Sequence, residues 1–241
     1  MARSSARGAG GKQVRRDSFV DAVPFVLVAC EGKTEQKVLD GLRTHLRLPS
    51  VKVEVRGQCG NTLSVLDAAL EMRKEKLKTL PKRDSARDSV QTWAVFDRDE
   101  HPETRWSQAF AKAAAQVPPV RMAHSNPCIE LWAILLYRDQ TAHIERGDAQ
   151  KELAALMAGY NHEKAPFFDT DACLGRVATD GPARWEVAGQ RARALAQRQA
   201  SARHPRGNPT TDFDLLVAEL FAIARSAQPA IDARRVPRPR A

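Results

Sequence analysis

The feature that most constrains this chain is a short apolar run, Phe25-Val26-Leu27-Val28-Ala29-Cys30, closed abruptly by Glu31-Gly32. A run of this length with no polar interruption suits a strand covered on both faces. The next hundred residues fit the same scheme. From Thr34 to about Arg47, Val38, Leu39, Leu42 and Leu46 fall on one stripe and predict an amphipathic helix. Val51 to Val55 alternates like a second strand, and a helix is expected from about Leu63 to Leu77, with Leu66, Ala69, Leu70 and Leu77 inward. Thr92 to Phe96 is a third buried-type strand, ending at Asp97-Arg98-Asp99, and a helix over about Thr104 to Ala115 comes next. Pro119 to Ala123 reads as a short fourth strand. It leads through Ser125-Asn126-Pro127 into a helix over Cys128 to Tyr137, where Asn126 suits the N-cap and Pro127 the first helical position. Strand and helix alternate four times across short turns. This predicts an α/β fold, a parallel sheet of about four strands flanked by helices.

Beyond residue 139 the pattern loosens. Helices are expected over Gln150 to Gly159, over the strongly basic Trp185 to Ala202, and from about Asp212 to Arg225, the last preceded by Gly207-Asn208-Pro209-Thr210-Thr211. The expected organisation is a basic tail over 1–20, an α/β core over 21–139, a mostly helical addition over 140–225 and a second basic tail over 226–241. The addition either packs on the core or forms its own lobe.

The formal charge of +9 invites a nucleic-acid reading, yet its distribution matters. Residues 1–20 carry five Lys/Arg against one acid, and residues 226–241 carry four Arg against one Asp. The 205 residues between them hold 29 basic and 27 acidic groups, so the excess sits mainly in the ends. Those ends are rich in Gly, Ser, Ala, Pro and Arg and read as disordered. They either hold a polyanion loosely through counterion release or merely solubilise the chain.

No apolar run approaches the roughly 18–20 residues a bilayer demands, and no hydrophobic signal core follows Met1, so no membrane association and a cytoplasmic location are expected. Cys30, Cys59, Cys128 and Cys173 show no C-x-x-C spacing and read as reduced, mostly buried thiols rather than a zinc site.

Chemistry concentrates at strand ends. In parallel α/β sheets ligands sit beyond the carboxyl ends of the strands, where the βα loops gather. Glu31 follows the first strand, Asp97 and Asp99 the third, and Ser125-Asn126 the fourth. Asp97 and Asp99 are two apart in an extended stretch, so their side chains point to one side and Arg98 to the other. Converging carboxylates repel one another, and a hard divalent cation, Mg²⁺ or Mn²⁺, relieves that repulsion. Such an ion activates water and stabilises the charge on a phosphodiester under in-line attack. A carboxylate free of metal can serve as general acid or base. Taken singly, each acid at a strand end is more often simply solvated.

Further candidates are Glu35, Lys33, Asn126 and Glu130. Lys33 and Arg98 are placed to touch a phosphate, although cations beside acids are routine; Glu130, in the first turn of its helix, complements the helix dipole or adds a metal ligand. Gly32-Lys33-Thr34 mimics the end of a phosphate-binding loop, but the motif needs a glycine where Leu27 stands inside a strand, so an ATPase is excluded. Gly57-Gln58-Cys59-Gly60 is an ordinary turn that comes after the second strand and is expected near the cleft. The histidines are scattered without ligand spacing, and Trp93 and Trp132 fit a core.

These residues carry a family resemblance. Val28-Ala29-Cys30-Glu31-Gly32-Lys33-Thr34-Glu35 resembles the opening motif of Toprim domains, and Val95-Phe96-Asp97-Arg98-Asp99-Glu100 resembles their Asp-x-Asp motif. The Glu-Gly-Lys-Thr-Glu opening, Ser125-Asn126-Pro127-Cys128-Ile129-Glu130-Leu131-Trp132 and Asn208-Pro209-Thr210-Thr211-Asp212 together resemble the RloB family, over about Phe25 to Leu220. The resemblance implies a Toprim-like fold and a place in phage-defence or abortive-infection loci, often beside a gene for an ABC-class ATPase. It also implies general acid/base duty for Glu31 and metal binding for Asp97 and Asp99, with Glu35, Asn126 and Glu130 at family-typical positions. A topoisomerase would need a nucleophilic Tyr on a further large domain, and only Tyr137 and Tyr160 exist. A primase would bring a zinc ribbon, which the cysteine spacing excludes. The expectation is therefore a metal-dependent nuclease acting on DNA or RNA. The alternative is a non-catalytic sensor or adaptor whose basic helix and tails engage an ATPase or nucleic acid.

Overall fold

A computed structural model describes residues 24–49, 53–82, 85–98, 102–162, 173–179 and 181–235. Of the two expected tails, 1–20 and 226–241, residues 1–20 and 236–241 lie outside the described residues, as do Val51, Lys52 and Asp99, whereas 226–235 continue the last helix.

The chain runs β1 (Phe25–Cys30), α1 (Lys33–His45), β2 (Val53–Arg56), α2 (Thr62–Thr79), β3 (Val90–Asp97), α3 (Glu103–Ala114), β4 (Arg121–Asn126), α4 (Glu130–Leu135), α5 (Arg146–Leu156), α6 (Arg184–Ser201), β5 (Thr210–Thr211) and α7 (Phe213–Arg235). The strands form one sheet in the order β2-β1-β3-β4-β5. The first four are parallel, and β5 lies antiparallel on β4, with Ser125 opposite Thr211 and Asn126 opposite Thr210. The sheet thus has one strand more than the pattern predicts. A two-residue strand has no periodicity for a sequence to display.

Alternation along β1 sorts the two layers. Val26, Val28 and Cys30 face a core shared with Leu39 and Leu42 of α1, Trp132 of α4, Leu195 of α6 and Phe213 of α7. Phe25, Leu27 and Ala29 face the other layer, with Leu66 and Ala69 of α2 and Ala113 of α3. Every β1 side chain is buried, as expected for a strand covered on both faces. The late helices α6 and α7 therefore pack on the sheet and complete its core. Trp93 and Trp132 are core residues, and Trp132 meets Phe213 edge-on at 5.0 Å between ring centroids.

Two boundaries differ from the pattern. Strand β4 runs on through Asn126, and α4 starts only at Glu130, with Ile129 as its N-cap. Asn126 is therefore no cap; its amide donates to the Arg206 carbonyl at 2.8 Å. The last helix continues to Arg235, past the Arg225 at which the apolar pattern fades.

None of the described helices is long and apolar enough to cross a membrane. The four cysteines are free thiols, three of them buried.

Candidate active site

β1 and β3 are neighbours, so their carboxyl ends meet at one edge of the sheet. The Glu31 amide donates to the Val95 carbonyl at 3.0 Å, carrying the ladder one residue past β1. Asp97 closes β3, paired in register with Ser125 of β4, and is only 6% exposed. By alternation it shares the face of Trp93 and Val95, toward α1 and α4. Arg98 turns to the opposite face, where its guanidinium lies 4.4 Å from the Trp106 ring centroid and donates to Glu103 at 2.9 Å. It is engaged with α3 rather than held over the acids.

A cavity of about 290 Å³ opens at this edge. Glu31, Glu35, Asp97 and Glu130 supply its acids, and Lys33, Arg146 and His162 its nitrogen-bearing side chains. The structure thus brings together Glu31, Lys33, Glu35, Asp97 and Glu130 of the sequence-derived candidates. Asp99 lies outside the described residues, and Asn126 is engaged elsewhere. The Gly57-Gln58-Cys59-Gly60 loop is not among the lining residues; it packs on α1, where a Cβ at Gly57 would sit 2.1 Å from Gln36 Oε1.

Glu35 sits in the first turn of α1, 3% exposed. Its carboxyl folds back over Gly32, where a Cβ would lie 2.8 Å from Oε2; a glycine is needed here for space, the backbone being extended at φ −119°. Burial, reinforced by the charges of Glu31 and Glu130, pushes the Glu35 pKa up to about 7. Glu130, the first residue of α4 and 2% exposed, behaves oppositely. Burial alone would raise its pKa, but hydrogen bonds from His162, Tyr160 and Cys128 bring it down to about 2. Tyr160 donates to Oε1 at 2.5 Å, and His162 Nδ1 lies 3.2 Å from the same oxygen. Two buried carboxyls in one cleft thus carry different proton affinities, set by how many donors each has. Tyr160 and His162 both meet Oε1, so Glu130 is tied to the cavity wall through that oxygen.

Arg146, Tyr160 and His162 have no signal in the sequence. They lie at the start of α5 and just after it, where no strand end marks them, and only the fold brings them against Glu130. The Asn-Pro-Thr-Thr-Asp motif also acts at a distance. Asn208 accepts from the Ile144 amide at 3.0 Å and donates to the Ile144 carbonyl at 2.8 Å, fixing the approach to Arg146. The Thr211 hydroxyl bonds that of Ser125 at 2.9 Å, and Asp212 Oδ2 lies 2.7 Å from His124 Nδ1. The motif closes the β4 edge beside Asp97 and makes no part of the cavity lining.

The donor chemistry suits a hard divalent cation: carboxylate oxygens at two adjacent strand ends, beside a Glu35 whose pKa burial, and then the charges of Glu31 and Glu130, lift to about 7. Among the described residues no three His, Cys, Asp or Glu side chains stand close enough together to hold a metal ion. Asp99, the expected partner of Asp97, is not one of them.

The family model for RloB-like proteins matches residues 26–220, most of the chain. The chain belongs to the RloB-like family. The match begins within β1 and ends within α7, so it takes in every element that builds the cavity and the strand that closes the sheet. No curated protein and no solved structure matches the chain significantly.

Proposed function

We propose that this RloB-like protein is a divalent-metal-dependent nuclease that hydrolyses phosphodiester bonds in DNA or RNA, and that it serves in defence against phage. The observation that carries the reading is the gathering of Glu31, Glu35 and Asp97 around one cavity at the carboxyl edge of the sheet. Family membership fits a defence role.

In this reading Asp97 and Asp99 hold Mg²⁺ or Mn²⁺, and Glu31 exchanges the proton of the attacking water. The bound ion supplies positive charge to the phosphodiester oxygens and makes water a stronger acid. Glu35, protonated near neutrality, sets the number of negative charges the cleft carries. Lys33, Arg146 and His162 line the same space and orient the phosphate. Water adds to phosphorus, the bond to the leaving oxygen breaks, and the leaving oxygen takes a proton. An ABC-class ATPase is the proposed partner, gating access of nucleic acid to the cleft.

The test is incubation of purified protein, with and without the proposed ABC-class ATPase partner, with DNA and with tRNA in Mg²⁺ or Mn²⁺. Cleavage that is lost in an Asp97→Ala/Asp99→Ala double variant supports the reading; equal cleavage by both proteins sinks it.

A second reading is a sensor or adaptor in which the acidic cleft does no chemistry. It is favoured by the commitment of Glu130 to Tyr160 and His162, which makes that part of the acidic wall a structural joint. It fails if the double variant loses phage protection while still binding its partner.

A further inference from the structure

A second concavity, about 690 Å³, lies at the other end of the sheet, between the end of α2, the entry to β3 and the turn before β4. The acids of the first cavity follow the carboxyl ends of the strands, whereas this groove borders their amino ends. The two are separate.

Its lining is basic: Arg73, Lys74, Lys78, Lys82 and Arg87, with no acid among the lining residues. Lys74 has an exposed partner one turn back, Glu71 at 3.3 Å. Lys78, Lys82 and Arg87 form no ion pair with any described acid. Arg87 is fixed by donating to the carbonyls of Leu77 and Leu80, at 2.5 and 2.9 Å. Arg73 is the decisive residue. Its side chain is 7% exposed, and its hydrogen bonds go only to neutral acceptors, Thr92 Oγ1 at 3.0 Å and the Pro118 carbonyl at 2.6 Å. Its third nitrogen, Nη2, is buried with no acceptor. A guanidinium taken out of water without a counter-charge is costly, and an anion in the groove above it offsets that cost.

Leu70, Leu77, Leu80 and Val117 also line the groove, interleaved with the cations, and Val117 is 95% exposed. A site that mixes cations with aliphatic side chains fits a ligand that carries both anionic and apolar parts. Its volume falls within the roughly 300–1,000 Å³ of small-molecule pockets. A continuous nucleic-acid strand would need a longer track than this lining offers.

We propose that this groove is a second ligand site that takes a nucleoside polyphosphate, its phosphates on Arg73, Lys78 and Lys82 and its base against Leu77, Leu80 and Val117. Isothermal titration of the full chain tests it, with ATP, inorganic tripolyphosphate, adenosine and a 12-nucleotide oligonucleotide as separate arms. Lys78 and Lys82 are exposed, so the Lys78→Glu/Lys82→Glu variant keeps the core, as its melting curve checks. ATP is expected to bind at least tenfold more tightly than tripolyphosphate or adenosine, to lose at least tenfold in that variant, and to be unaffected by Asp97→Asn. No ATP binding by wild type, undiminished binding by the lysine variant, tripolyphosphate binding as tightly as ATP, or tighter binding of the oligonucleotide overturns the proposal. Loss of ATP binding in Asp97→Asn would assign the nucleotide to the acidic cavity and overturn it as well.

Discussion

The Tyr160 hydroxyl reaches across from the end of α5 to donate to Glu130 Oε1 at the start of α4, 2.5 Å away. The bond joins two elements that also meet through the apolar cluster of Cys128, Ile134, Leu153 and Met157 and through the Arg138–Glu152 ion pair. It also fixes a buried negative charge.

Tyr160→Phe should therefore destabilise the fold by about 2 kcal/mol, the cost of removing a donor from a buried ionised group. The Glu130 pKa lies below its unfolded value, so its stabilisation is complete above about pH 4.5 and is lost as pH falls toward about 2. Without the tyrosine donor the folded pKa rises, so in the variant that loss should be smaller and should end at higher pH. Urea titrations between pH 2 and 7 measure both effects.

Glu35 has the reverse sign. A folded pKa of about 7 against the ordinary 4.5 means the folded state holds the proton longer, so stability falls as pH rises between those values. Glu35→Gln should match wild type below pH 4.5 and exceed it at pH 8, by on the order of 1–3 kcal/mol. A flat difference across that range in thermal melts would show that the carboxyl is solvated.

Gly32→Ala places a methyl group 2.8 Å from Glu35 Oε2 and forces the carboxyl out of its fold-back position. A cost of about 1–2 kcal/mol is expected, as for other overpacked sites. The cleavage rate of the proposed nuclease should fall with it. The melting temperature and that rate are the two readouts.

Metal binding should appear as stabilisation. At a hundredfold excess over Kd, Mn²⁺ adds about 2.7 kcal/mol to the folded state, and EDTA should reverse the shift. Asp97→Asn should abolish it without changing the metal-free melting temperature by more than about 2 °C, since one carboxylate at a cavity edge gives up repulsion as well as solvation. An unchanged Mn²⁺ shift in that variant would remove Asp97 from the ligand set.

Asn208→Ala should remove both hydrogen bonds to Ile144 at a cost of about 1–3 kcal/mol. Because Ile144 precedes Arg146, amide exchange in the first turn of α5 should quicken more than in β1 or β3. Uniform quickening would show a general loss of stability instead.

How much of this can be read from the amino acids depends on where each signal is written. Glu31 and Asp97 are legible because each ends an apolar run, and a parallel sheet brings such ends to one edge. Arg98 turns away as the alternation predicts. Glu130 is visible as an acid in a first turn, but its partners are not: Tyr160 and His162 lie 30 and 32 residues further on, in a stretch with no periodicity. Asn126 misleads because Asn-Pro is good N-cap chemistry. Its amide is instead claimed by the Arg206 carbonyl 80 residues away, and a local motif holds no information about that. The same applies to Asn208 and to the two-residue strand beyond it.

The antiparallel strand Thr210–Thr211 has a temporal consequence. Until those residues leave the ribosome, β4 has a bare edge next to Asp97, and the Asn208 side chain that steadies Ile144 has not yet been made. The cleft is thus braced by a segment made well after the strands that form it, and a nascent chain halted before residue 208 would carry the acids in an unbraced frame. The proposed nuclease activity should then be absent from the unfinished chain.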